Sequence, residues 1–269
     1  MTFCRLIPQN NTGTSTQNPR QFPNFITAWL DGSVVYGYEN GRTNALRAFK
    51  NGLMKTSPGV DGDYLPINSD GNGGTLLNMA NPANKVPSNQ LFAGGDMRSN
   101  ENPVLLALQT LWVREHNRRA NALASSGMSD EEIFQQARKM VVAHIQKITF
   151  QDFLPILLGK PLPAYKGYDN TINPGIAEFF STVAYRVGHD MLPTVIPRLE
   201  PNGDSIPQGY MLLRDGFFDV ANFLPIGASA ILRGASVTPQ RQADGIFEDD
   251  VRVFLYGAGP ATATDLVSR

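Results

Sequence analysis

Three groups of residues in this 269-residue chain have types and spacing that could do chemistry. The first is Arg186, Gly188 and His189. In a helical segment the arginine, three residues before the histidine, shares its face. The glycine presents no side chain. An imidazole able to bind a metal, a guanidinium on the same face and an empty position beside them suit a flat, anionic, metal-bearing cofactor such as haem. The spacing fits equally a helix whose last turn carries a histidine favoured by the dipole.

The second group is Thr27, Trp29, Asp31 and Ser33, at every second position. Alternate residues of an extended or looping segment point the same way. A carboxylate, two hydroxyls and the Trp29 carbonyl on one side suit a hard cation with oxygen ligands, namely calcium. A half-buried strand ending in a glycine turn would show the same alternation. The third group is Arg98 and Glu101, three apart at the entrance to a helix. By pattern alone, this pair equals a solvated helix start whose acidic residue is favoured by the dipole.

The elements that must hold these groups are mostly helices. Residues 40–50 read as a short helix with Ala45, Leu46 and Phe49 on one face. A strong helix is expected over 102–124, with Leu105, Leu108, Leu111, Trp112 and Leu123 as its apolar stripe. The box formed by Ser129 and Glu132 opens a helix reaching about Leu158, bent or ended by Pro155. Its stripe is Ile133, Ala137, Met140, Val141, His144, Ile145 and Ile148, so His144 reads as a core histidine. Asn173 and Pro174 cap a helix reaching about Met191. Its core face is Ile176, Phe180, Val183 and Val187, bordered by a stripe of Thr182, Arg186 and His189. Further helices are expected over 219–232, ending at Gly234, and over 248–256. Residues 8–24, 57–90 and 193–217 read as loops with a few short strands. The fold class is mainly α, in one domain.

Composition narrows the partners. A net charge of −1 gives no basic excess for nucleic acid or an anionic membrane. No run approaches the length of a membrane span. Cys4 stands alone, which removes internal disulfides and cysteine metal clusters. The first residues lack the apolar run and cleavage site of a signal peptide.

Four stretches, in order, resemble the animal-type haem peroxidases of the peroxidase–cyclooxygenase superfamily. They are Thr27-Ala-Trp-Leu-Asp-Gly-Ser-Val-Val-Tyr-Gly37, Phe92-Ala-Gly-Gly-Asp-Met-Arg-Ser-Asn-Glu101, Leu111-Trp-Val-Arg-Glu-His-Asn-Arg118 and Ala184-Tyr-Arg-Val-Gly-His189. The resemblance implies a helical peroxidase fold with long loops and haem b as cofactor. His189 matches the proximal iron ligand and Arg186 the arginine on a haem propionate. Arg98 matches the distal catalytic arginine. Glu101 matches the glutamate that forms an ester with haem in mammalian members. Thr27, Trp29, Asp31 and Ser33 match the calcium loop. His116 matches a structural position, and Gln109 stands where many members have histidine.

The family's distal histidine, the general base for peroxide, lies upstream of the calcium loop beside an aspartate that completes that site. Here no histidine precedes His116. The asparagine that braces the proximal histidine lies just past the segment matching residues 265–269. Residues 1–269 are therefore expected to be a single partial haem peroxidase domain, lacking the distal-histidine segment and the C-terminal part.

The implied activity is reduction of hydrogen peroxide with oxidation of a halide or small organic donor, in oxidative-stress or defence chemistry. A fatty-acid dioxygenase and a non-catalytic adhesion or matrix module are the alternatives within the superfamily. The resemblance implies secretion. The 269 residues with added haem are expected to show little guaiacol-type turnover; activity comparable to a complete peroxidase would contradict this.

Overall fold

The computed structural model describes residues 8–82, 84–244 and 248–254. Cys4, the 265–269 segment and the end of the helix expected over 248–256 lie outside them, as does the Thr182 side chain.

The 27–33 segment is a loop rather than a strand and leads into α1 (Ser33–Tyr36). α2 (Asn40–Leu46) is shorter than expected, and Phe49 lies past its end, exposed and at φ 52°.

α3 (Pro103–Leu123) starts where the pattern places it. The Asn102 side chain accepts from Val104 N at 2.8 Å, and Pro103 occupies the first turn, where its missing N–H leaves no gap. Its inner face is not the one the apolar pattern marks. Leu108 and Leu111 are exposed, while Leu106, Ala107, Gln109, Thr110, Val113, His116 and Ala120 point inward. Polar side chains can face in because each is bonded. Gln109 accepts from Ser99 Oγ at 3.1 Å, and Thr110 donates to Leu106 O at 2.9 Å.

α4 (Asp130–Lys147) opens with the expected box: Glu132 N donates to Ser129 Oγ, and Ser129 N to Glu132 Oε2. Ile133, Ala137 and Val141 are buried, while Met140 and Ile148 are exposed. His144 is at the rim rather than in the core, half-buried, with Nδ1 3.8 Å from Glu115 Oε1. The helix widens into a π-helical stretch, Ile148–Phe153, and continues as α5 (Leu154–Leu158). Pro155 falls in the first turn of α5 and does not end it. Gly159, at φ 67°, supplies the left-handed residue that does.

The helix expected over 173–191 is broken. Asn173 accepts from Gly175 N in a local turn instead of capping. α6 (Glu178–Thr182) is five residues long, Val183 departs from helical geometry at φ −126°, and Ala184–His189 is a 3-10 turn. Ile176, Phe180, Val183 and Val187 are exposed, so the face read as core is not buried, although Phe180 touches the Tyr185 ring.

β1 (Val195–Ile196) and β2 (Met211–Leu212) pair antiparallel, Val195 opposite Leu212. α7 (Leu213–Gly216), α8 (Val220–Phe223) and α9 (Ala228–Val237) follow. The single helix expected over 219–232 is therefore two. Gly234 lies inside α9, where a Cβ would overlap the Pro197 carbonyl; close approach, not termination, explains it. Residues 250–254 form a π-helical turn.

α3 packs against α4 and α9, and one core built on Tyr36, Tyr64, Phe92, Phe134, Phe217, Phe223 and Ile231 joins the three. Asp61 caps α9 from outside it, accepting from Ser229 N at 2.6 Å while pairing with Arg114 at 2.9 Å. Burial alone would raise its carboxyl. The bonds from Ser229 and Arg114 outweigh that and hold it at about 2.

His116 is fully buried. Its Nε2 is 2.8 Å from Gly52 O, which can only accept, so Nε2 carries the proton. Nδ1 then accepts from Tyr36 Oη at 2.9 Å. Burial, with Arg47 and Arg138 nearby, pushes the imidazole down to about 4 against the Gly52 bond, which favours protonation. The unfolded chain takes up a proton near the ordinary histidine pKa, and the folded chain not until about 4. Stability therefore falls as pH drops through that window. Between about pH 7 and about pH 4.5 this group is expected to remove about 2 kcal/mol. Urea midpoints check this: His116→Gln should lose that part of the pH dependence, and an unchanged slope would contradict the assignment.

Candidate functional site

Arg98 lies in the loop that leads into α3, and four restraints fix that loop. Arg42 reaches up from α2 and donates to Gly94 O at 2.8 Å and Asn78 O at 2.9 Å. Asn100 grips Phe92 twice, accepting from its N–H at 3.0 Å and donating to its carbonyl at 2.8 Å. Ser99 Oγ donates to Asp96 O at 2.6 Å. Phe218 N, on the turn after α7, donates to Asn100 O at 3.1 Å and Glu101 O at 3.3 Å.

The Arg98 guanidinium pairs with Asp96, Nε to Oδ1 at 3.2 Å, and is about half exposed. Burial works against its charge, but Asp96, Glu101 and Tyr185 outweigh it and raise its pKa. Burial raises the Glu101 carboxyl, and Arg98 only partly offsets this. Arg98 and Glu101 thus share one field, and Tyr185 of the 3-10 turn acts on it.

The 3-10 turn places Arg186 and His189 one above the other, because residues three apart eclipse in that geometry. Burial, with Arg186 beside it, lowers the His189 pKa, while a bond to the Arg186 backbone opposes this. The ring is held neutral, the form a metal needs. Arg186 Nε is buried and has no hydrogen-bond partner among the described residues. A Cβ on Gly188 would meet nothing within 4 Å. Its φ is not in the left-handed range, so neither backbone strain nor packing explains the glycine. The segment after His189 reaches the entrance of α3: Met191, Leu192 and Pro193 line one cavity of about 210 Å³ with Asn102 and Val104.

In the 27–33 loop, Thr27 Oγ1 accepts from Trp29 N at 3.0 Å and Asp31 Oδ1 from Ser33 N at 2.9 Å. Gln146, at the end of α4, donates to Leu30 O at 2.8 Å and pins the loop. Among the described residues no three His, Cys, Asp or Glu gather as a metal cluster. The loop brings one carboxylate and three neutral oxygens.

The family model for animal haem peroxidase matches residues 1–269. The chain belongs to the animal haem peroxidases. The dual oxidase of Drosophila melanogaster is 34% identical over 272 residues, 98% of this chain and 18% of that protein. Peroxidase A from Dictyostelium discoideum has the same fold, with a TM-score of 0.86 at 32% identity over 94% of this chain and 48% of that one. A fatty acid alpha-dioxygenase of Oryza sativa, at TM-score 0.67 and 19% identity over 93% of this chain and 45% of that one, shares the fold alone. The chain spans less than half the length of each.

The mainly helical architecture, with one short antiparallel pair, is that of this peroxidase family. The residues fit its haem at three points. Arg186 offers a buried guanidinium nitrogen without a partner, Gly188 leaves open space, and His189 offers a neutral ring. The 27–33 oxygens fit calcium in chemistry, all being hard donors, but number four where calcium takes six to eight. Sequence reasoning missed Arg42, Asn100 and Ser99. Ser99 and Asn100 showed only as polar residues beside Arg98 and Arg42 as a basic residue of α2, and no local pattern says which backbone group each one grips.

Adding haem to the chain is expected to give a Soret band that His189→Ala abolishes. Arg186→Gln should weaken binding roughly tenfold, as loss of a charge-assisted bond would. Haem dimethyl ester, which lacks carboxylates, should not distinguish that variant from wild type. Equal Soret titrations for all three proteins would contradict the assignment.

Proposed function

We propose that this chain is the part of a haem peroxidase that holds the cofactor's proximal side and the distal arginine. The reaction is reduction of hydrogen peroxide with oxidation of a halide or small organic donor. What supports this reading is convergence. Asn102, next to Glu101, shares a cavity with Met191, two residues past His189, and Tyr185, next to Arg186, acts on the Arg98 charge, in a chain of peroxidase ancestry.

Haem b, when bound, supplies the redox chemistry that splits peroxide and oxidises the donor. His189 would hold its iron through a ring nitrogen, and Arg186 a propionate. Glu101, whose carboxyl burial raises, would be the residue to form any ester with the cofactor. Arg98 keeps a fixed positive charge, anchored by Asp96, where negative charge develops on a peroxide oxygen. Orientation by Asp96 means that little has to rearrange when the charge forms. Movement of the peroxide proton needs a base that none of the residues assigned here provides. Thr27, the Trp29 carbonyl, Asp31 and Ser33 would hold calcium. Such a site suits a secreted or lumenal protein in millimolar calcium, and the proposal takes secretion as its setting. Neither nucleic acid nor a membrane is a partner in this reading; no described helix is long and apolar enough to cross a bilayer.

Peroxide consumption by the haem-loaded chain tests this. Arg98→Gln should slow it by about 10²–10³-fold, the usual effect of removing one preorganised charge donor. Asp96→Asn should fall between that variant and wild type. An unchanged rate in Arg98→Gln would contradict the role of Arg98. Oxygen uptake with a polyunsaturated fatty acid in place of peroxide consumption would assign the chain to dioxygenase chemistry.

A further inference from the structure

The loop carrying Arg98 meets the loop carrying Thr27, Asp31 and Ser33 backbone to backbone. Gly95 lies flat on α1. A Cβ built on it would sit 2.6 Å from Ser33 O and 2.7 Å from Gly37 N, and would overlap the carbonyl carbon of Val35. Gly95 does not have a positive φ, so close approach is what requires the glycine.

Both sides of this contact are tied. Ahead of it, Gly94 O is held by Arg42 at 2.8 Å. After it, Asp96 Oδ1 accepts from the backbone N–H of Arg98 at 2.8 Å and pairs with its guanidinium at 3.2 Å. Ser99 Oγ locks the carbonyl of Asp96 at 2.6 Å. On the other face, Ser33 is both a candidate cation ligand and the residue whose N–H Asp31 Oδ1 accepts at 2.9 Å. From Asp31 to the Arg98 guanidinium the path is Ser33, Gly95, Asp96, with a hydrogen bond, a backbone contact or a covalent link at each step.

We infer that Gly95 is a positioning residue through which a cation in the 27–33 loop sets the placement of Arg98. This rests on the calcium reading of that loop. A cation recruiting the Asp31 and Ser33 oxygens shifts or stiffens Ser33. Close-packed backbone transmits such displacement rather than absorbing it. The Asp96 carboxylate then carries it to the guanidinium. An added Cβ would wedge the two loops apart and break the link while leaving the ligands of the loop in place.

Amide hydrogen exchange of the 269-residue chain, with calcium or with a chelator, tests the coupling without any turnover. Binding itself is read separately by the fluorescence of Trp29, which lies within the loop, in a Trp112→Phe background. Calcium is expected to slow exchange roughly three- to tenfold in residues 27–36 and also in residues 94–101. Gly95→Ala should keep the first effect and lose the second, and Asp31→Asn should lose both. Protection confined to residues 27–36 in wild type overturns the coupling, as does coupled protection surviving in Gly95→Ala. No response in either segment or in Trp29 overturns the calcium reading and the coupling with it. Should Gly95→Ala fail to fold, the wild-type and Asp31→Asn measurements still decide between these outcomes.

Discussion

Buried backbone without a sheet to pair it is the constraint on which this structure depends. Long loops run through the interior, and every buried N–H and C=O in them needs a partner. Side-chain amides and guanidiniums take the place of neighbouring strands. Asn68 donates to Leu77 O and Ser88 O and accepts from Leu77 N; Asn117 does the same for both backbone groups of Met54. Asn100 closes the same two-bond clasp on Phe92, and Arg198 reaches three carbonyls, of Gln208, Gly209 and Tyr210. α3 is the hub: through Gln109 and His116 it bonds the Arg98 loop, α1 and the Gly52 turn. Such bonds add about 1 kcal/mol each when made, but leaving a buried partner unsatisfied costs more. The network therefore fixes the loops in one arrangement more than it adds stability.

The same constraint explains what could be read from the sequence. Features set by local chemistry were legible: the start and length of α3, the Ser129 box, the left-out signal of a sheet. The inner face of α3 was not, because an apolar stripe predicts burial only where apolar residues fill the interior. Here Gln109, Thr110 and His116 face inward to serve loop backbones remote in sequence, and Leu108 and Leu111 are left outside. The 173–191 helix failed for a related reason. Its apolar spacing was real, but a short amphipathic helix forms on the surface it buries, and Ile176, Phe180, Val183 and Val187 stay exposed. Gly188 was expected to have a packing reason, and among the described residues nothing lies where its Cβ would be.

The candidate site was legible as motifs before it was legible as geometry. Arg98 and Glu101, Arg186 and His189, and the 27–33 oxygens were found by order and residue type. The placement of the Arg98 loop depends on Arg42, Asn100, Ser99 and Gly95, which hold that loop and carry no chemistry themselves. Neutrality of His189 follows from burial and from Arg186, and orientation of Arg98 follows from Asp96. Arg98 is thus oriented by a neighbour close in sequence, while its loop is held by partners far away.

The central claim is that His189 and Arg98 face one another across a bound haem. A crystal structure of the chain soaked with haem tests it most directly. The account predicts iron bound to a ring nitrogen of His189, a propionate on Arg186 and the Arg98 guanidinium over the opposite face. Iron bound to His144, the other histidine at the surface, or haem lying away from the entrance of α3 would contradict it.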